Sequence, residues 1–372
     1  MWSNFLQWVK QWIRTRKSVE DPAEDEKNDA SINVANVSES IIAGGDVNIQ
    51  GVLPSEHAKA LAQIEILREK LAIAEESRKE LTPEEEEEVD EALEGAASAE
   101  ESGIVFDPWE YITLGDAAEL RGRTFTAESY FNEAMRLFIE AGDRKGKAAS
   151  LNNLGTIALT RGDLDEAERL HRESLAIQRE LGNRKGEADS FGNLGLIAEK
   201  RSDYDEAERL HRECLAIDRE FGNRKGESQT LNNLGTNAYT RGDYDEAERL
   251  FRESLAIDRE VGDRNGMSDM LGNLGSIVYI RGDYDEAERL YRESLDIYRE
   301  IGNRKGESQS LYNIGFVYYN KRSDYYEAER LYRESVRINN EIGVPLDGWF
   351  IENGYTDPDE EWDFPPPRED SD

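Results

Sequence analysis

A 40-residue period governs this chain. From Tyr111 onward one unit recurs six times, and self-similar units of this length bury their apolar faces only by stacking on their neighbours. Blocks beginning at Leu151, Phe191, Leu231, Leu271 and Leu311 carry the same short signature: Asn153-Leu154-Gly155, Asn193-Leu194-Gly195, Asn233-Leu234-Gly235, Asn273-Leu274-Gly275 and Asn313-Ile314-Gly315. Twelve places after each glycine comes a small residue: Ala167, Ala207, Ala247 and Ala287, then Ala328 after a one-residue insertion. The unit beginning at Tyr111 fits more loosely, through Leu114, Gly115 and Ala127.

Within a unit the pattern spells two antiparallel helices. In the block from Leu151, helix A is expected over 146–160 and helix B over 164–181, with Gly162-Asp163 as the turn between them. Leu151, Leu154 and Ala158 fall on one face at helical spacing. Gly155 and Ala167 lack bulk, so the two helices can approach closely where they cross. Leu170, Leu210, Leu250, Leu290 and Leu331 form one core row of the B helices, and Ile177, Ile217, Ile257, Ile297 and Ile338 a second. Gly182-Asn183-Arg184-Lys185-Gly186 ends one unit with a glycine cap and starts the next.

Charge and cysteine usage narrow the function class. Acids outnumber bases by 81 to 46, a net charge of −35. Nucleic acid is excluded as a partner on this basis, because phosphate binding is driven by basic neutralisation. The same acid excess suits a high-salt host, where repulsion is screened, and equally an ordinary cytosolic protein. Cys214 is the single cysteine, so no intrachain disulfide forms and a reducing interior is expected. No apolar run approaches membrane-span length and no signal-peptide core is evident, so a cytoplasmic location is expected.

Four segments precede the array. Residues 1–17 read as an amphipathic helix, with Trp2, Phe5, Leu6, Val9, Trp12 and Ile13 on one face and Lys10, Arg14 and Lys17 on the other. Two readings follow: docking on the acidic array or on a partner, which is favoured, and a membrane-surface anchor. Residues 18–54 contain a polar linker and β-branched runs around Gly44-Gly45-Asp46, which spell a β-hairpin. Over residues 55–80 a helix is expected, with Ala60, Ile64, Leu67, Leu71 and Ala74 as a short heptad seam. That seam serves either a coiled coil, giving a homo-oligomer through residues 32–80, or packing on the first repeat. Residues 81–105, dominated by glutamate, are expected to be an acidic, solvated spacer before an array spanning 106–345, the alternative being a helix that starts at Pro83.

The apolar-x-x-Leu-Gly and Gly-Asp-x-x-x-Ala positions resemble the tetratricopeptide repeat. The longer 40-residue form, with its Asn-Leu-Gly and Gly-Asn/Asp-Arg-x-Gly loop, is similar to repeats of kinesin light chains and of Gα-binding cell-polarity adaptors. The resemblance implies an all-α, right-handed superhelical solenoid of about six helix pairs, here preceded by the small β-hairpin and helix segment. It also implies a non-enzymatic adaptor whose concave groove, lined by the A helices, holds a protein or peptide ligand. Residues 32–54 additionally resemble N-terminal parts of prokaryotic repeat and signalling ATPase proteins, which implies a prokaryotic member; with the acid excess, a haloarchaeal host is one reading. Alternatives to the adaptor are a membrane-tethered or oligomeric scaffold and a sensor in a prokaryotic regulatory or defence system.

In such a groove Asn153, Asn193, Asn233, Asn273 and Asn313 would form a ladder. An amide both donates and accepts, which matches the two edges of a peptide backbone. The resemblance implies that these asparagines hold ligand backbone; the alternative is a bond across to the neighbouring repeat. Tyr239, Tyr279, Tyr319 and Phe316 make the C-terminal half of this lining aromatic, suiting apolar anchors. Arg144, Arg184, Arg224, Arg264 and Arg304 recur in the inter-repeat loops, where pairing with nearby acids is expected.

Nothing in the chain asks for catalysis, a metal or a cofactor. His171 and His211 occupy equivalent positions in successive B helices, where other units carry Phe251, Tyr291 and Tyr332, and so read as core fillers. Residues 346–372 leave the period, with Trp349, Phe350, Tyr355, Trp362 and Phe364 among acids. The start of this acidic aromatic tail is expected to cap the last repeat, and its end to be disordered.

Overall fold

Most repeat helices start at the Asn or Asp that the period supplies, the helix from Thr124, capped by Arg123 without a side-chain bond, being an exception. In the computed structural model, which describes residues 54–77, 81–322, 324–346, 351, 355–360 and 362, Asp143 Oδ1 accepts from Gly146 N at 3.0 Å. Asp163 does the same for Glu166 N at 3.2 Å. Each bond satisfies a donor that a helix N-terminus leaves orphaned. The preceding glycine closes the previous helix in the left-handed region, as at Gly142 and Gly162 (φ 69° and 81°). Where the third repeat replaces that glycine, Ser202 adopts φ 61° instead.

Fourteen α-helices and one π-helical turn make up the described residues, which contain no strand. The chain forms two compact units, Met1–Ile197 and Ala198–Asp372. The first holds α1 (Pro54–Ser77), α2 (Pro83–Glu101), α3 (Pro108–Leu120), α4 (Thr124–Ala141), α5 (Arg144–Arg161), α6 (Leu164–Glu180) and most of α7 (Arg184–Lys200). Here α3 packs on α4 and α5 on α6 as A/B hairpins, and α5 stacks against both α3 and α4.

The second unit begins with the end of α7. It continues through α8 (Tyr204–Phe221), α9 (Arg224–Thr240), α10 (Tyr244–Val261), α11 (Arg264–Ile280), α12 (Tyr284–Ile301), α13 (Arg304–Val317) and α14 (Tyr325–Ile342). Each helix packs on the next, and the A helices α9, α11 and α13 also touch one another in series. The insertion before Ala328 is absorbed by the π-helical turn Tyr318–Arg322, where one extra residue widens the helix and leaves the register of α14 intact.

At the start of the array one expectation changes and one alternative is decided. Residues 83–101 are not a solvated spacer but helix α2, with Val89, Ala92, Leu93, Ala96 and Ala99 buried. Those residues recur at helical spacing inside the acidic run, and the helix start is fixed by a Thr82/Glu85 capping box with Pro83 behind it. The seam of α1 is covered within the same chain: Ala60, Ile64, Leu67 and Leu71 are buried, and α1 packs on α2 and α3. The amphipathic segment 1–17 and the β-hairpin expected in 18–54 lie outside the described residues.

The tail closes the other end. Tyr355 and Trp362 stack with ring centroids 4.9 Å apart and are buried against Tyr332 and Val336 of α14. In the repeat before, Leu295, which is equivalent to Val336, packs with Leu311 and Ile314 of the following A helix. The two tail aromatics therefore stand where a further A helix would. Arg333 holds them, with its guanidinium 4.6 Å from the Trp362 ring centre and donating to Glu360 O at 2.6 Å.

Candidate ligand-binding face

On the A helices of the second unit a buried stripe packs inward and leaves another stripe accessible. In α9, Leu231, Leu234 and Gly235 are buried while Asn232 and Asn233 are half-buried and Thr236 and Thr240 exposed. The expected ladder lies on this second stripe, and its members differ in what they bond. Asn153 is buried and donates to Asp116 Oδ1 at 3.1 Å. Asn193 donates to Asn152 Oδ1 at 3.2 Å, and Asn273 to Asn232 Oδ1 at 3.1 Å. These three amides reach across to the preceding A helix.

Asn233 and Asn313 behave differently. Among the described residues Asn233 makes no side-chain hydrogen bond, and Asn313 only accepts one, from Gln309 Nε2 at 3.2 Å. The residue one repeat behind and one place earlier explains the contrast. It is Asn152 for Asn193 and Asn232 for Asn273, but Gly192 for Asn233 and Gly272 for Asn313. Glycine offers no side-chain acceptor, so alternate ladder positions keep an amide for other use.

The aromatic positions line up beside them in the second unit. Tyr239, Tyr279 and Tyr319 each meet the first tyrosine of the following B helix edge to face, at 5.5, 5.3 and 5.7 Å between ring centroids. Those contacts hold the rings half-buried. Phe316 is 39 % exposed and lies 5.3 Å from Tyr279 and 6.4 Å from Tyr312. Burial raises the Tyr239 and Tyr279-neighbouring Tyr291 hydroxyls above their usual range, so they remain protonated donors at neutral pH.

The loop arginines pair locally. Arg184 bonds Glu187 at 2.7 Å, Arg144 bonds Glu180, and Arg304 reaches Glu341 at 2.7 Å. On the B-helix surface Arg172 pairs with Glu168, and Arg169 with Glu166 and Glu173. Such exposed pairs contribute tenths of a kcal/mol each, roughly, and favour solubility over recognition.

His171 and His211 are fully buried. His171 Nδ1 lies 2.9 Å from Asn152 Oδ1, and burial pulls its pKa down to about 4, so the ring is neutral. His211 Nε2 meets Glu199 at 3.2 Å. Among the described residues no three His, Cys, Asp or Glu side chains gather as a metal would require, and no helix is long and apolar enough to cross a membrane.

Three features escape the repeat pattern when only its shared positions are compared. Asn152 and Asn232 are the acceptors that fix the ladder. A serine row ties A and B helices together, as where Ser174 donates to Ala148 O and Ser294 to Ser268 O, both at 2.9 Å. Asn237 is 3 % exposed where the equivalent residues are the buried Ile157, Ile197, Ile277 and Val317. The signal for Asn237 was its departure from an otherwise apolar row.

The tetratricopeptide-repeat family model matches residues 110–180, 186–260 and 266–341. No curated protein sequence matches the chain. Among solved structures, BtubC (BKLC) from P. vanneervenii is 21 % identical with a TM-score of 0.51, covering 61 % of this chain and 94 % of its own. The apo form of RapI is 16 % identical with a TM-score of 0.55, covering 68 % and 93 %. A Rap protein complexed with Competence and Sporulation Factor is 13 % identical with a TM-score of 0.58, covering 83 % and 85 %. At these identities the likeness is one of fold, whereas the family model spans most of the array and the repeat signature runs through it: the chain belongs to the tetratricopeptide repeat family.

Proposed function

We propose that this protein is a non-enzymatic adaptor that binds a protein or peptide segment along the accessible stripe of its A helices in the second unit. One observation carries the reading: Asn233 makes no side-chain hydrogen bond among the described residues and Asn313 only accepts one, so both keep an amide N–H to donate, in the unit that also bears Tyr279, Phe316 and Tyr319. An amide of this kind meets ligand backbone, and the half-buried rings take apolar side chains. Asn153, Asn193 and Asn273 act in this reading as struts that hold the A helices in register. A Rap protein of similar fold is found complexed with Competence and Sporulation Factor, which supports ligand binding as a use of this architecture.

The test is affinity capture from host lysate with wild type and with Asn233→Ala/Asn313→Ala, after thermal denaturation confirms that both are folded. A partner retained by wild type and lost by the variant supports the proposal. Identical partners on both baits would remove the A-helix stripe from consideration.

A further inference from the structure

A second site lies on the side of the second unit formed by the B helices. Between α8 and α10, with α9 as its floor, is a cavity of about 650 Å³. That volume falls in the range of small-molecule sites, about 300–1,000 Å³. Leu215, Leu231, Leu234 and Leu250 form an apolar cluster beneath it. Its four arginines are each neutralised by a carboxylate, as Arg241 is by Glu208 at 2.9 Å and Arg249 by Glu246 at 2.7 Å. In a chain of net charge −35 the wall is thus locally neutral, carrying four lining arginines against four lining acids.

Into this wall the sequence has set Asn237. Its Nδ2 donates to Tyr204 O at 2.9 Å, which fixes the amide orientation and directs Oδ1 elsewhere. Oδ1 accepts no hydrogen bond among the described residues, although the side chain is 97 % buried and lines the cavity. The oxygen is not sealed from solvent and so opens on the cavity, and an amide stands here where three other repeats carry isoleucine. Its neighbour Ala238 stands where the next repeat has Val278, which leaves room over the leucines.

We infer that the α8–α9–α10 cavity binds a small, uncharged aromatic molecule that donates one N–H to Asn237 Oδ1 and rests its ring on the leucine floor. Neutrality follows from the paired rim, the ring from the apolar floor, and the donor from the Asn237 oxygen, which accepts no hydrogen bond among the described residues. This site is independent of the A-helix stripe, and either stands without the other.

Indole and 1-methylindole are the probes, because they share a ring system and differ in the N–H. Titration calorimetry on the full chain is expected to show saturable indole binding, and about tenfold weaker binding of 1-methylindole, the size of one hydrogen bond. Asn237→Ile, a residue the other repeats accept here, is expected to weaken indole to the level of 1-methylindole and leave 1-methylindole unchanged. Ala238→Val, which copies the next repeat, is expected to weaken both. Absence of saturable indole binding, equal affinity of the two probes for wild type, or indole binding unaffected by Asn237→Ile would overturn the inference.

Discussion

A Cβ placed on Gly155 would stand 2.7 Å from Nε2 of His171. That is inside any real carbon contact, so the repeat glycine exists to admit the B-helix ring packed against it. The same relation holds for Gly275 and Tyr291, where the distance is 2.8 Å. The glycine of Asn-Leu-Gly is therefore a packing requirement between the two helices of a hairpin, and the ring opposite it varies.

Two glycines of α11 should respond oppositely to alanine. Gly275→Ala drives a methyl group into a buried tyrosine and should cost about 1–3 kcal/mol. Gly272→Ala meets only Ser294 Oγ at 3.9 Å, so the gain in helix propensity dominates and stability should rise by about 0.5–1 kcal/mol. Urea denaturation of the two variants reads both signs.

His171 makes stability depend on pH in a definite direction. Its folded pKa of about 4 lies below the ordinary 6.5, so between these values the unfolded chain binds the extra proton. Its contribution is constant above pH 6.5 and is lost as pH falls toward 4, by roughly 3 kcal/mol in total. His171→Phe, which copies Phe251 at the equivalent place, should flatten that part of the stability profile. An unchanged profile would mean the ring is protonated inside the fold.

The ladder should separate into struts and contacts. Asn273→Ala removes the donor to a half-buried Asn232 and should lower stability by about 0.5–1.5 kcal/mol. Asn233→Ala breaks no bond and should change stability by less than about 0.5 kcal/mol, while reducing ligand capture. Thermal melts alongside capture assays distinguish the two classes.

The tail should behave as the cap of the array. Trp362→Ala removes a buried ring together with its Arg333 contact and should cost about 3 kcal/mol or more. Limited proteolysis should then cleave near residue 355 before the repeats. Cleavage elsewhere first would show that the α14 face needs no cover.

The period, the helix bounds and the packing rows were all legible in the chain, because a repeat states each contact several times over. Helix A of the Leu151 unit was expected over 146–160 and is found as Arg144–Arg161; helix B, expected over 164–181, is Leu164–Glu180. The glycine–ring contacts and the Gly-Asn/Asp caps follow from the same repetition. The acidic run 83–101 was harder, since charge density masked five buried apolar positions that only packing on α1 makes visible.

What the ladder asparagines do was decided by tertiary structure alone. All five look identical along the chain, but a hydrogen bond depends on the residue one repeat away, which is Asn behind Asn193 and Asn273 and Gly behind Asn233 and Asn313. The same holds for Asn237: the sequence marks it as a break in an apolar row, and only the fold shows its oxygen facing a cavity. Periodicity determines which surfaces stack, because burial repeats with the unit. Which polar group is left without a partner depends on pairs of residues from different units, and that information exists only once the chain is folded.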